Sequence, residues 1–418
     1  MQNKTHNPPN NISINEKRLW NSLMQMAEIG KTELGGVNRQ ALTDLDKKGR
    51  KLFETWAKEA KLQITIDNMG NIFARRDGKN NNLPPIMTGS HLDSQPTGGK
   101  FDGPLGVLSG LEVVRSLNDA NYTTDAPIEI VVWTNEEGCR FAPSMTGSGV
   151  FSGAHDIKDI HQIQDTKGIS LIDELKRIEY FGNISCKPRP IGAFIETHIE
   201  QGPILEEQEC VIGIVTGAQG QKWYEVNIKG QESHAGTTPM QKRKDALLAG
   251  AKIVTSVNEI TKSCAPDGRG TCGVLDVFPA SRNVIPGKVF LTIDIRHPEA
   301  SELNKMESLL KKSIQEITIN YGVEISVNRI LDFNPVPFNQ KIFSTIKKNA
   351  DQLGLQNLDI VSGAGHDAVN IQKIAPSGMI FIPCKDGISH NEAEHAESKH
   401  VAAGANVLLQ TIIELANT

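Results

Sequence analysis

The chain has 418 residues, with 44 Lys and Arg against 49 Asp and Glu, giving a formal charge of −5. A 38% hydrophobic share with 37 glycines is that of an ordinary globular protein of two or three domains, which excludes a disordered, collagen-like or disulfide-stapled chain. The mild acidity, without any long basic run, makes nucleic acid an unexpected partner and small molecules expected ones.

The head, MQNKTHNPPNNIS, is polar and Asn-rich and lacks the apolar core of a signal peptide. No run reaches the roughly 18 apolar residues that a membrane span needs. Six scattered cysteines form no CxxC pair, the pattern of buried thiols in a reducing compartment. A cytoplasmic protein is expected. Helical spacing predicts helices around 15–28 and 43–60, the second carrying Leu45, Leu52, Phe53 and Trp56 on one face. Short apolar runs then predict buried strands over 85–88, 128–133, 193–196 and 379–383, each followed at once by a polar cluster. Strands alternating with helices indicate an α/β sheet whose ligand sites lie beyond the carboxyl ends of the strands.

A second pattern interrupts the first. Strands are predicted over 224–229, 273–278, 288–295 and 323–330, with helices over 242–259 and 300–317. The order β-α-β-β-α-β is that of a ferredoxin-like unit, and about 115 residues is a comfortable domain size. The segment FNPVPFN at 333–339 reads as the hinge back, because each Pro holds its predecessor extended. The expected organisation is therefore a discontinuous α/β domain over 1–215 and 332–418, with a second domain inserted at 216–331.

The chemistry-bearing residues stand next to the predicted strands of the first pattern. In TGSHLDSQPTGGKFDGPLGV, His91 follows the first strand, Asp93 comes two residues on, and Asp102 lies in a Gly-rich loop before a helix. A nearby Asp either orients a metal-bound His through its second ring nitrogen or is itself a ligand. In VVWTNEEGCRF, Glu136 and Glu137 leave the next strand; one of such a pair can bind metal while the other handles a proton. FIETHIEQGP places His198 beyond a third strand with Gln201 near it, and DGISHNEAEH places His390 after a fourth. Mixed His and carboxylate donors suit Zn²⁺, Mn²⁺ or related divalent ions, and no Cys stands among them to make a thiolate zinc site.

The ordered set GSHLDSQPTGGKFDGPLGV, NEEGCRF, ETHIEQGP, SHAGTTPM, SGAGHDA and GISHNEAE resembles the amidase/hydantoinase/carbamoylase family of dinuclear metallohydrolases, from about residue 15 to the end. That family is related to aminoacylases and aminopeptidase-like exopeptidases. The nearest likeness is to its N-carbamoyl-L-amino-acid hydrolase and β-ureidopropionase branch. The resemblance implies a metallo-exopeptidase-like α/β/α catalytic domain, with the ferredoxin-like insert serving as lid and dimerisation domain. It implies two divalent ions per subunit, Zn²⁺ or Mn²⁺, with Co²⁺ or Ni²⁺ as alternatives. Asp102 would bridge them, His91 and His198 completing one ion's ligands and Glu137 and His390 the other's. Glu136 would be the general base, and Asp93 would orient His91. His234, in QESHAGTTP, would stabilise the oxyanion from the partner subunit of a homodimer. Gln201 would face a ureido group, Asn283 and Arg296 would hold the substrate carboxylate, and Gly363, Ala364 and Gly365 would offer backbone donors to it. The implied reaction releases amino acid, CO₂ and ammonia from an N-carbamoyl-L-amino acid or N-carbamoyl-β-alanine. Allantoate amidohydrolase, and an aminoacylase or metallo-exopeptidase, are the alternatives.

Overall fold

A computed structural model describes residues 12–418; most of the Asn-rich head, and with it the signal-peptide expectation, lies outside them. The chain divides into two compact units. One runs to Thr216 and resumes at Phe338 through Thr418; the other is Gly217–Pro337.

The first unit is built on a mixed sheet. Four neighbouring strands form its centre, in the order Ile128–Trp133, Ile86–His91, Ala193–Ile199 and Ser377–Ile382, all mutually parallel. Every residue of these four is buried. Apolar runs buried on both faces are what a helix-covered parallel sheet requires. Antiparallel strands flank the centre: Ile72–Arg76 and then Gln63–Ile66 on one side, Ile212–Ala218 on the other.

The helix Pro104–Asp119 packs on the strand Ile86–His91, and Ser398–Ala416 lies beside it. Leu105, Val107, Leu108, Leu111, Val113, Val114 and Leu117 put apolar groups all round the first of these, which makes it a core helix. Each such side chain contributes about 1.5–3 kcal/mol by leaving water. Glu112 is the buried charge in that helix. Arg18 reaches it with Nε and Nη2, both at 2.8 Å, and Asn15 donates its N–H, so the buried carboxylate is paired and bonded. These contacts tie the first helix, Glu16–Ala27, to the core helix.

The second unit carries the order β-α-β-β-α-β, with Arg269–Thr271 and the paired Ser233–His234 and Val284–Ile285 as additional short strands. Its sheet runs Leu275–Phe278, Lys288–His297, Gly220–Lys229, Glu324–Phe333, antiparallel throughout. Alternation turns Tyr224, Val226 and Ile228, and Leu291, Ile293 and Ile295, toward one core. Ile253 and Val257 of the helix Ala246–Ser263, and Leu303, Met306 and Leu310 of Ala300–Tyr321, complete it. The first of these helices starts four residues later than its periodicity suggests, because the Asp245 carboxylate caps it by accepting the Leu248 N–H. The second runs on to Gly322, whose left-handed φ of 60° ends it. Within the FNPVPFN segment, Val336–Pro337 pairs with Gly217 and Ala218 as a short strand rather than a free linker. All six cysteines are free, and no helix among the described residues is long and apolar enough to cross a membrane.

Candidate active site

The carboxyl ends of the four parallel strands converge on one group of polar side chains. His91 is the last residue of its strand, opposite Trp133, and His198 lies inside its own, opposite Phe381. Both were expected just past a strand. The backbone ladder continues through them because their neighbours are still paired there, whereas the apolar run stops earlier. The helix after the Asp102 loop begins at Pro104. Gly103 makes that turn feasible. Its φ is +84°, and a Cβ there would stand 2.5 Å from the His91 ring.

The tautomers of the two buried imidazoles follow from their partners. His91 Nδ1 is 2.9 Å from the Asp93 carbonyl oxygen, and His198 Nδ1 is 2.9 Å from that of Ile199. A carbonyl only accepts, so each Nδ1 carries a hydrogen, and in the neutral ring Nε2 is a lone pair. Those lone pairs face carboxylates. His91 Nε2 lies 3.5 Å from both Asp102 Oδ1 and Glu136 Oε2; His198 Nε2 lies 3.2 Å from Asp102 Oδ1 and makes no hydrogen bond. A buried lone pair set against a buried carboxylate is unfavourable unless a proton or a metal cation sits between them. A divalent ion fits that requirement with these donor types.

The second group shares Asp102. His390 Nε2 is 3.3 Å from Asp102 Oδ2 and 3.4 Å from Glu137 Oε2. Thus His91, Asp102 and His198 form one set able to hold an ion, and Asp102, Glu137 and His390 form another joined to it at Asp102; Glu196, His198 and His366 form a third group, which does not include Asp102. The first set is buried, with its two His on strands, whereas the His390 side chain is 52% exposed on a loop.

Charge crowding shows in the acid–base equilibria. Burial acts to raise the Asp102 pKa, yet the surrounding His198, His390 and His91 hold it well below the carboxylate range. Burial would lower His91, but Glu136, Asp102 and Asp93 carry it well above its usual value. Glu136 is pushed well up, by burial first and then by Asp367, Glu137 and Asp102, with His91 opposing. Burial and Asp102 push Glu137 up to about 7, and Asp102 holds His390 at about 9.

Asp93 does not orient His91 as expected. Its backbone carbonyl does so, while its carboxylate is 3.8 Å from the ring and accepts the N–H groups of Glu136 and Glu137, at 3.3 and 3.2 Å. The side chain therefore sets the turn that aims the two glutamates. Gln201 donates to Asp102 Oδ2 at 3.0 Å and to Ser389 Oγ at 3.2 Å, so its amide N–H₂ is turned toward the carboxylate that both ion sets share. Of the 363–365 turn, the Ala364 N–H is already used by Ser362 Oγ at 3.1 Å, which removes it as a donor to a ligand.

Three expected contacts belong to the second unit. His234 is exposed and paired with Val284, and Ala235 N–H donates to the Asn283 carbonyl, so His234 and Asn283 stand at one tip. His234 Nδ1 accepts from Gly236 and Thr237 N–H at 3.0 and 3.3 Å, which puts the neutral ring's hydrogen on Nε2 as an outward donor. Arg296 is not an open clamp. Its Nε and Nη2 already hold the Asp294 carboxylate at 3.0 and 2.7 Å.

Further residues line the site, and of these Gln95 and Glu196 do not stand out in the sequence. Gln95 grips Glu137 twice, by its N–H at 3.1 Å and its Nε2 at 2.7 Å. His366, in the SGAGHDA motif, lies beside His198 with ring centroids 4.6 Å apart and planes tilted by 59°. Glu196 sits behind the same ring, fixed by Ser90 Oγ at 2.6 Å and Ala368 N–H at 2.9 Å. Gln95 lies inside the HLDSQP motif, and only that contiguity could have pointed to it.

A parallel sheet with two His-carboxylate groups at its carboxyl rim is the framework of a hydrolytic α/β enzyme able to bind divalent ions. The chain belongs to Peptidase family M20/M25/M40, whose family model matches residues 87–414. It is 46% identical to an N-carbamoyl-L-amino-acid amidohydrolase of Rhizobium meliloti over 98% of both chains. It is 32% identical to a ureidoglycolate hydrolase of Arabidopsis thaliana, over 98% of this chain and 88% of that one. A solved amidase of the hydantoinase/carbamoylase family from Burkholderia multivorans superposes with a TM-score of 0.94 at 51% identity, covering 97% of this chain and 99% of that one. The chain is thus an amidohydrolase, with the mixed α/β fold of the hydantoinase/carbamoylase amidases.

Proposed function

We propose that the chain hydrolyses the carbamoyl C–N bond of N-carbamoyl-L-amino acids or N-carbamoyl-β-alanine, yielding the amino acid, CO₂ and ammonia. The observation that carries this reading is the pair of donor sets joined at Asp102, with the Glu136 carboxylate beside them, 3.5 Å from His91 Nε2. His91, Asp102 and His198 would hold one divalent ion, and Asp102, Glu137 and His390 a second, with Zn²⁺ or Mn²⁺ preferred over Co²⁺ or Ni²⁺. When bound, such a pair supplies Lewis-acid activation of a water and of the scissile carbonyl.

The chain's own residues do the rest. Glu136, buried and with a strongly raised pKa, takes a proton from the attacking water and returns it to the leaving nitrogen. Asp93 keeps Glu136 aimed through its N–H. Gln201 holds Asp102 and offers its unpartnered Oε1 to a ureido N–H. Asn283 and Arg296 bind the substrate carboxylate, Arg296 exchanging Asp294 for it, and Gly363 and Gly365 add backbone contacts. A second reading, hydrolysis of another ureido acid such as allantoate, is favoured by the ureidoglycolate hydrolases among the relatives.

Ammonia release from N-carbamoyl-L-amino acids, N-carbamoyl-β-alanine and allantoate, with each of the four metals added, tests the assignment. Fastest turnover is expected on an N-carbamoyl amino acid. Fastest turnover of allantoate would move the assignment to the second reading. Activity confined to N-acyl amino acids or dipeptides would overturn both.

We also propose that the second unit forms a homodimer, the partner subunit's His234 donating Nε2–H to the developing oxyanion. Its fixed tautomer supports that role. His234→Ala chains and Glu136→Gln chains, each nearly inactive alone, are expected to regain partial activity when mixed. Absence of any gain in verified mixed dimers would rule out sharing across subunits.

A further inference from the structure

Between the short 3-10 turn Lys385–Gly387 and the helix Ser398–Ala416, the segment that carries His390 forms no strand or helix of its own. In the structure it is fastened to the Asp102 loop by one buried carboxylate, that of Glu394. Its Oε1 accepts the backbone N–H groups of Phe101 at 2.9 Å and Asp102 at 3.1 Å. Its Oε2 accepts from Ser389 Oγ at 2.9 Å, one residue before His390. Ser389 Oγ also lies 3.2 Å from Asp102 Oδ2 and accepts from Gln201, so the fastening is continuous from Glu394 to the shared carboxylate.

The packing round this contact leaves no room for an alternative. A Cβ on Gly99 would stand 2.0 Å from Glu394 Oε1 and 2.4 Å from Oε2, so the glycine two residues before Phe101 leaves the space the carboxylate occupies. Glu394 is 3% exposed, and all its hydrogen bonds are accounted for by donors of the two loops. It is placed to clamp, and its oxygens are not among those that form either ion set.

We propose that Glu394 is a positioning residue that fixes the spacing between Asp102 and His390, and so sets the affinity of the Asp102–Glu137–His390 group for its ion. The inference rests on the reading of that group as an ion site. His91 and His198 are held by the parallel strands and do not depend on the clamp. His390, half exposed and with a left-handed φ of 53°, has only its loop to hold it. Releasing the clamp therefore loosens one site more than the other. Outer-shell hydrogen bonds of this kind are worth about 10- to 100-fold in metal affinity.

The test is metal content and chelator-driven release, read by atomic absorption after loading with Zn²⁺ or Mn²⁺ alone. Wild-type protein is expected to retain two ions per chain through dialysis. Glu394→Ala should retain one, with the other dissociating about 10- to 100-fold more readily. Glu394→Gln keeps an acceptor for the two N–H groups and a donor for Ser389 Oγ, and should hold both ions. Gly99→Ala, which crowds the carboxylate from the other side, should repeat the Glu394→Ala loss if the latter folds poorly. Two ions retained with wild-type release in both Glu394→Ala and Gly99→Ala would overturn the inference, as would equal loss in Glu394→Gln. Wild-type protein holding fewer than two ions would instead overturn the reading of the site itself.

Discussion

Glu136→Gln is expected to lower kcat by about 10²- to 10⁴-fold while leaving the metal content unchanged, the range for loss of a general acid–base group. The substitution preserves the shape of the side chain and the backbone that places it. Glu136 N–H still meets Asp93, and the Glu136 carbonyl still accepts from Met145 N–H at 2.7 Å. What disappears is the basic oxygen and its charge. The charge has a consequence of its own. Glu136 is the strongest influence raising the His91 pKa against burial, and His91 must shed a proton from Nε2 before a cation can take its lone pair. Removing Glu136 lowers that pKa, so proton competition ends at lower pH and the half-point of metal uptake moves down. Steady-state kinetics and metal uptake against pH check the two halves separately. Retained turnover would place the base elsewhere; an unchanged or upward-moving uptake curve would mean Glu136 does not govern His91.

The residues that gather at the rim were readable because of a physical regularity. A parallel strand buried on both faces is largely apolar, so a His or carboxylate at the end of an apolar run marks a position at or near the rim. His91, Glu136, Glu137 and His390 stand out in this way, and the structure brings them together with Asp102. Less readable was where the strands end, since pairing at His91 and His198 depends on the neighbouring strands and not on local apolarity. Glu394 stands four residues after His390 in the DGISHNEAEH stretch, but what it clamps is not legible there. Its partners are backbone N–H groups 292 and more residues away, which carry no side-chain signature. The role of Asp93 was misassigned for the same reason, because its carboxylate serves main-chain donors. Arg296 is a different case. Asp294 lies two residues before it on the same strand, where alternation puts both side chains on one face, so their pairing followed from the period of a strand and could have been anticipated.

Asp102→Ala is expected to abolish activity and the binding of both ions, a larger effect than loss of any other single donor. The reason lies in connectivity. His91 and His198 meet Asp102 at Oδ1, and His390 meets it at Oδ2, so the two sets have no other common member. Without it each set falls from three donors to two, and the imidazoles lose the carboxylate that balances an ion's charge. The loss is measurable apart from catalysis. A ligand that binds only the folded chain stabilises it by RT ln(1 + [L]/Kd), about 2.7 kcal/mol at a hundred times Kd. Wild-type Tm should therefore rise as Zn²⁺ or Mn²⁺ is added and fall with a chelator, while the Tm of Asp102→Ala should respond to neither. His390→Ala, which leaves the buried strand-borne set whole, should keep a reduced response. A metal-dependent Tm in Asp102→Ala equal to that of wild type would mean that the ions bind outside the two groups joined at Asp102.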